Sequence, residues 1–309
     1  MTAYYLALDF GGTKLSAALL AAEAVTRTPP VWHSQRRIFS PPGADAAYDI
    51  HTMIELGREL LGGQRPLAVG VSFGGPVNHQ TGVVYLSHHV PGWENTPLQA
   101  ILEQAFAASV RVDNDANAAA LGEHRWGAGQ GLDSLLYVTV STGVGGGWIL
   151  HGRPWRGHAG LAGEIGHTIA DPNGPECLCG KRGCVERLAS GPYMAQDLAA
   201  RGLITDAPMT GELVAQLAAT GEPDALEILR RGAWALGIGL GHAANFMNPQ
   251  RMILGGGVTK SGELWWRMVR QTAVQTALPE INCDIVAAAL GDDAPLWGAI
   301  ALAFAVYDV

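Results

Sequence analysis

"YYLALDFGGTKLSAALL", Tyr4 to Leu20, joins two apolar runs through a bare Gly11-Gly12 turn. The first run ends on a carboxylate, Asp9, and the second begins after Lys14. Short apolar runs bounded by glycine are spelled as strands, so this stretch predicts strand, glycine turn, strand. Comparable punctuation recurs in "LAVGVSFGGPVN" (Leu67–Asn78), "LLYVTVSTGVGGGWIL" (Leu135–Leu150) and "RMILGGGV" (Arg251–Val258). Helical periodicity lies between these segments, as in "ANAAALGEHRWG" and "ALEILRRGAWALGIGLGHAANFM". The two strand–glycine–strand openings, near residues 4 and 135, echo each other. The expected fold is therefore α/β, with two related domains and a cleft between them.

Size and charge agree with that division. A chain of 309 residues fits two ordinary domains. The expected boundaries are 1–117 plus 290–309 for a small domain and 118–289 for a large one. Hydrophobic residues at 48% suffice for buried interiors and exclude a disordered chain. A net charge of −8 argues against nucleic acid as a partner, because polyanions reward basic patches. A nucleotide stays open, since backbone amides can bind one. "TRTPPVWHSQRRIFSPPG" reads as an edge hairpin or loop. Asp9 and Lys14 interrupt the N-terminal apolar stretch, so no signal peptide is expected. "PLWGAIALAFAV" falls short of a ~20-residue membrane span. Four cysteines without a secretory signal point to a reducing cytoplasm.

The glycine segments carry candidate chemistry. In "DFGGTK", Gly11 and Gly12 let amides close on phosphate oxygens, Thr13 adds a hydroxyl and Lys14 a charge. Asp9 can hold Mg²⁺, directly or through water. The same letters also describe a plain hairpin turn. "STGVGGG" (Ser141–Gly147) repeats hydroxyls beside unhindered amides, and "LGGG" (Leu254–Gly257) lets the chain lie flat against a planar group such as adenosine. Together they describe an ATP site. "VDNDANAA" sets Asp113, Asn114 and Asp115 where a strand gives way to a helix. An Asn-Asp pair there can chelate sugar hydroxyls, with the carboxylate accepting a proton; it can equally cap the helix. Glu164 and His167 in "GEIGH", and Glu186, add carboxylates and an imidazole. Taken alone, both glutamates read as solvated charges.

The most specific signal is "HTIADPNGPECLCGKRGCVE", His167 to Glu186. His167, Cys177, Cys179 and Cys184 supply one imidazole and three thiolates, the complement of a closed tetrahedral Zn²⁺ site. Gly180 and Gly183 permit the required chain reversal. A disulfide competes, but three clustered cysteines and a reducing compartment weigh against it. Cys283 stands apart and reads as a core residue.

These motifs, from "LDFGGTK" to "ILGGGV", resemble the ROK family of bacterial sugar kinases and regulators, within the larger actin-like (ribonuclease H-like) ATPase fold. The resemblance implies two actin-like domains, with the zinc loop 167–186 on the large one. Asp115 is then the catalytic base. Asn114, Glu164, His167 and Glu186 are sugar ligands, and Gly75 brings backbone against the sugar. Asp9, Gly12, Thr13, Thr142 and Gly143 line phosphates and metal, with Gly256 near the adenosine. His167 serves twice, one ring nitrogen on zinc and the other toward a sugar hydroxyl.

Two departures qualify the match. Repressors of the family carry an N-terminal helix-turn-helix, for which the early Asp9 leaves no room. Many family glucokinases read Pro-Asn shortly before "PGW", where this chain has His88 and His89. The expected activity is ATP-dependent phosphorylation of a hexose 6-hydroxyl, with glucose first and N-acetylmannosamine or N-acetylglucosamine as alternatives. A non-catalytic sugar-sensing regulator and a structural actin-like protein are the rivals. The expected partners are ATP, Mg²⁺, structural Zn²⁺ and a small sugar, with no nucleic acid and no membrane, in a homodimer.

Overall fold

The computed structural model describes residues 2–26, 30–87, 89–203 and 207–304. Along the chain run β1 (Tyr4–Phe10), β2 (Lys14–Ala21), β3 (Ser34–Phe39), α1 (Ala46–Leu61), β4 (Ala68–Phe73), β5 (Val77–Asn78) and β6 (Val83–Val84). Then come α2 (Leu98–Phe106), β7 (Ser109–Asn114), α3 (Asp115–Trp126), β8 (Ser134–Val140), β9 (Val144–Leu150) and β10 (Arg153–Trp155). The remainder is α4 (Val185–Ala189), α5 (Gly191–Ala200), α6 (Gly211–Ala219), α7 (Pro223–Met247), β11 (Arg251–Gly255), α8 (Glu263–Thr276), β12 (Ile285–Ala287) and α9 (Ala294–Phe304). Two compact units result: Met1–Gly131 with Gly147–Ala162 and Asp293–Val309, and Leu132–Gly146 with Gly163–Asp292.

The first unit is built on a sheet of order β3-β2-β1-β4-β7. β1, β2 and β3 form an antiparallel meander, as the glycine turn after Phe10 predicts, and β4 and β7 join parallel to β1. β3 is an edge strand within the Pro-rich stretch expected to form an edge hairpin or loop, whose residues 27–29 lie outside the described ones. Alternation along the strands sorts the two faces. Leu6, Leu8, Val69, Val71 and Phe73 enter one apolar cluster with Met53 and Leu56 of α1 and Leu98 and Leu102 of α2. The opposite face is small: a Cβ on Gly70 would collide with the Ala299 carbonyl, so the backbone of α9 lies directly on β4.

α9 also moves a boundary. Gly122 of α3 meets Gly298 of α9 so closely that a Cβ on Gly122 would lie 2.8 Å from the Gly298 nitrogen. The whole of α3 therefore belongs to the first unit, beyond the break expected after residue 117. Trp297 of α9 stacks on Trp32 with ring centroids 3.8 Å apart, which docks the segment before β3. The apolar "PLWGAIALAF" tract is thus a buried helix, and no described helix is long and apolar enough to cross a membrane.

In the second sheet the order β10-β9-β8-β11-β12 repeats that of the first. β8, β11 and β12 run parallel, and β10 pairs antiparallel with β9. α7 begins at a Glu222 cap followed by Pro223 and ends at Asn248 in the left-handed region, φ 42°. It packs on α8 through Gly237 and Gly241, which sit over Thr272 and Thr276.

Candidate active site

In the first unit, the candidate residues collect where β1, β4 and β7 end. Asp9, Ser72 and Asp113 stand in register across these three strands. Asp9 is buried, and the Ser72 hydroxyl donates to its Oδ1 at 2.8 Å. Burial pushes its carboxyl up to about 6, against the pull of Ser72 and Lys14. The next residues turn tightly: Gly11 N–H donates to the Lys14 carbonyl at 3.0 Å, and a Cβ on Gly11 would meet that oxygen at 2.9 Å. The hairpin reading of "DFGGTK" therefore holds, and the charge of Lys14 at the end of the turn acts on Asp9. Gly12 is overlain by His89, whose Cβ would lie 3.1 Å from a Cβ placed there. His88 lies outside the described residues.

At the end of β7 the cap reading holds as well. Asn114 Oδ1 accepts from Ala116 N–H at 3.0 Å and Asn117 N–H at 3.4 Å, opening α3. Its Nδ2 donates to the Gly75 carbonyl at 3.1 Å, so the structure brings Asn114 and Gly75 together. Asp115 is half-buried, and its Oδ1 accepts from Ala116 N–H at 2.8 Å. Burial, and next the charge of Asp9, raises its carboxyl to about 7. A carboxyl poised there suits proton transfer near neutral pH.

Sequence reasoning missed what steadies this junction. Asp113 is buried and accepts from its neighbour Asn114 N–H at 2.9 Å, from Asn117 Nδ2 at 3.2 Å and from Arg156 Nε at 2.7 Å. Arg156 is 43 residues away in sequence, and nothing in its local spelling announces the pairing.

In the second unit, β8 and β9 are joined by a turn in which Ser141 N–H donates to the Gly143 carbonyl at 2.8 Å. Ser141 and Thr142 of this turn line a cavity of about 1030 Å³, with Gly191, Gly211, Gly257 and Lys260 among its other walls. Such a volume accommodates a nucleotide-sized ligand. Of the "LGGG" glycines, two answer to the protein itself. A Cβ on Gly255 would collide with the Tyr137 hydroxyl, and Gly256, at φ 89°, would bring one within 2.5 Å of the Val140 carbonyl. It is Gly257 that borders the cavity.

Glu164 is exposed and precedes the short turn Ile165–His167, where His167 N–H donates to the Glu164 carbonyl at 3.1 Å. A Cβ on Gly166 would collide with the Val144 carbonyl, so "GEIGH" lies backbone to backbone on the start of β9. Glu186 reaches the same residue, its Oε2 accepting from Val144 N–H at 2.9 Å.

The cysteine loop closes as its spacing predicts. One donor atom each from His167, Cys177, Cys179 and Cys184 falls within 4.8 Å of the others. His167 Nδ1 is 4.0 Å from Cys177 Sγ, and Cys179 Sγ is 3.6 Å from Cys184 Sγ. Zn–S bonds of about 2.3 Å in a tetrahedron put sulfurs about 3.8 Å apart, so the cluster fits zinc. The thiols are free, which removes the disulfide alternative. Gly180 (φ 83°) and Gly183 (φ 63°) make the reversals. Arg187 clamps the loop, its Nε donating to the Glu176 carbonyl at 3.1 Å and its terminal nitrogens pairing with Asp197 at 3.0 and 2.7 Å. Cys283 is not a core residue: it is half-buried in the segment before β12, because β12 is a short terminal strand of its sheet.

The ROK family model matches residues 5–306. A glucokinase of Halalkalibacterium halodurans is 34% identical over 318 residues, 96% of this chain and 93% of that protein. An N-acetylmannosamine kinase of Shigella boydii is 33% identical over 299 residues, 96% of this chain and 97% of its own. A solved ROK family glucokinase from Streptomyces griseus, in complex with glucose and AMPPNP, matches with a TM-score of 0.82 at 32% identity, covering 97% of this chain and 99% of that one. The repeated sheet order, the Cys₃His loop and a match spanning nearly every residue place this chain in the ROK family.

Proposed function

We propose that this chain is an ATP-dependent sugar kinase that phosphorylates the 6-hydroxyl of glucose. The observation that carries the reading is Asp115, a half-buried carboxyl raised to about 7 at the start of α3. In this reading its carboxylate orients the sugar hydroxyl and accepts its proton as the phosphoryl group transfers. Gly75, Asn114, Glu164, His167 and Glu186 hold the sugar. Gly11, Gly12, Thr13, Lys14, Thr142 and Gly143 receive the phosphates through backbone amides, hydroxyls and one ammonium, and the 1030 Å³ cavity takes the nucleoside, with Gly256 behind its Gly257 wall.

Two ions fit the residues present. Asp9, a buried carboxylate destabilised by desolvation, is suited to hold Mg²⁺ directly or through water; the ion supplies charge neutralisation at the phosphates. The Cys₃His set leaves no open position on Zn²⁺, so that metal is structural. With Nδ1 turned toward the sulfurs, His167 keeps Nε2 for a hydroxyl.

N-acetylmannosamine is the second reading, favoured by the Shigella relative's comparable identity and coverage. The test is ADP release by the purified protein across glucose, mannose, N-acetylmannosamine and N-acetylglucosamine. The expected outcome is the highest kcat/KM with glucose. A higher value with an N-acetylhexosamine replaces the substrate, and no sugar-dependent ADP release with any of them removes the kinase reading.

A further inference from the structure

Glu186 occupies the first turn of α4, two residues after Cys184, yet the hydrogen bond of its side chain is made elsewhere. Oε2 accepts from the backbone N–H of Val144 at 2.9 Å. The same oxygen would stand 2.7 Å from a Cβ on Gly143, so the carboxylate lies flat over the turn that joins β8 to β9. That turn contributes Ser141 and Thr142 to the wall of the large cavity. On its other side, Gly166 brings backbone against the Val144 carbonyl. Val144 thus donates its N–H to Glu186 while its carbonyl lies close against the Gly166 backbone, and no hydrogen bond to Glu186 Oε1 is found among the described residues.

We infer that Glu186 is a positioning residue for the nucleotide, holding the Ser141–Val144 turn in the shape that receives ATP phosphates. This role is separate from the sugar contact proposed for Glu186, for which Oε1 stays available, and it rests on the kinase reading. "STGVGGG" is rich in glycine, whose backbone loses the most freedom on ordering. Within the turn Ser141 N–H donates to the Gly143 carbonyl, and at its entry Gly191 N–H donates to the Ser141 carbonyl at 2.9 Å, so the exit at Val144 is the end that still needs a bond from outside. A carboxylate accepting from the amide at the turn's exit supplies it, and charge assistance strengthens the bond. Removing the acceptor leaves Val144 N–H unsatisfied and the exit of the turn unheld, while the bonds at Ser141 remain.

Charge and hydrogen bonding act in opposite directions here, because a carboxylate near a phosphate site also repels phosphate. The discriminating comparison is therefore among uncharged variants. Glu186→Gln retains a carbonyl oxygen at the same reach, Glu186→Asn is one methylene too short, and Glu186→Ala has no acceptor. Binding of AMPPNP with Mg²⁺ is measured by titration calorimetry on the full chain, with no sugar present. The expected result is that Glu186→Asn and Glu186→Ala bind AMPPNP about fivefold more weakly than Glu186→Gln, the loss of one net hydrogen bond.

Equal sugar-free affinity in Glu186→Gln and whichever of Glu186→Asn or Glu186→Ala folds overturns the positioning role and leaves Glu186 a sugar ligand alone. If the wild-type chain binds no AMPPNP, the kinase reading fails and the inference fails with it. The wild-type titration thus separates the two failures.

Discussion

Asp9 and Asp115 stand at the ends of β1 and β7 with Ser72 of β4 between their strands, and the charge of Asp9 adds to burial in raising the Asp115 carboxyl. Asp9 is itself held up at about 6, by its own burial. A cation bound at Asp9 would relieve both.

Replacing the base should separate binding from turnover. Asp115→Asn keeps a hydrogen-bonding amide, so sugar affinity should stay within about tenfold while kcat falls at least ~10²-fold, the usual loss of a general base. Coupled-assay kinetics on the variant check this, and a near wild-type kcat removes Asp115 from the chemistry.

The raised carboxyl predicts a pH dependence of activity. With Asp115 at about 7, kcat/KM should fall as pH drops through about 7, because the protonated group cannot accept a proton. A profile flat from pH 8 to an acid limb near the ordinary carboxylate value of about 4 contradicts it.

Stability should move in the matching direction. A folded-state pKa above the unfolded value gives stability that is complete below about 3.8 and lost as pH rises through about 7. Asp115→Asn removes that loss. Its Tm relative to wild type should therefore be higher at pH 8 than at pH 4, as read by differential scanning fluorimetry, and a constant difference rejects the assignment.

Zinc should be stoichiometric and positional. Cys179 is the exposed member of the cluster, so Cys179→Ser removes a ligand with little loss of packing. Wild type should carry about one zinc per chain by metal analysis, and the variant none, with a lower Tm. Sugar KM should rise more than ATP KM, since His167 is a ligand directly and Glu186 follows Cys184 by two residues. An unchanged sugar KM without metal leaves the zinc as a remote staple.

The α3–α9 crossing admits no side chain. Gly298→Ala would drive a methyl into the Ala118 carbonyl, a backbone atom that no rotamer can move aside. The expected cost is about 1–3 kcal/mol, read as a lowered urea midpoint. An unchanged midpoint means the helices can separate at that point without penalty.

What the amino-acid order alone determined is local. Gly11-Gly12 after a run of strand formers prescribes a hairpin, because only the backbone of Phe10 to Lys14 takes part. Asn114 before an alanine-rich run prescribes a helix start, and the His167–Cys184 spacing prescribes a metal loop whose four ligands fall in one short segment. Tertiary structure decided every pairing between distant segments. Arg156 found Asp113, Glu186 found Val144 across 42 residues, and Gly122 met Gly298. Gly255 and Gly256, whose spelling points to a flat ligand surface, are glycine because Tyr137 and Val140 of β8 crowd them. The difference is physical: hairpins, caps and metal loops satisfy hydrogen bonds and ligation within one short segment, whereas the partner of a buried carboxylate or a bare backbone is whichever distant surface the packed core brings against it.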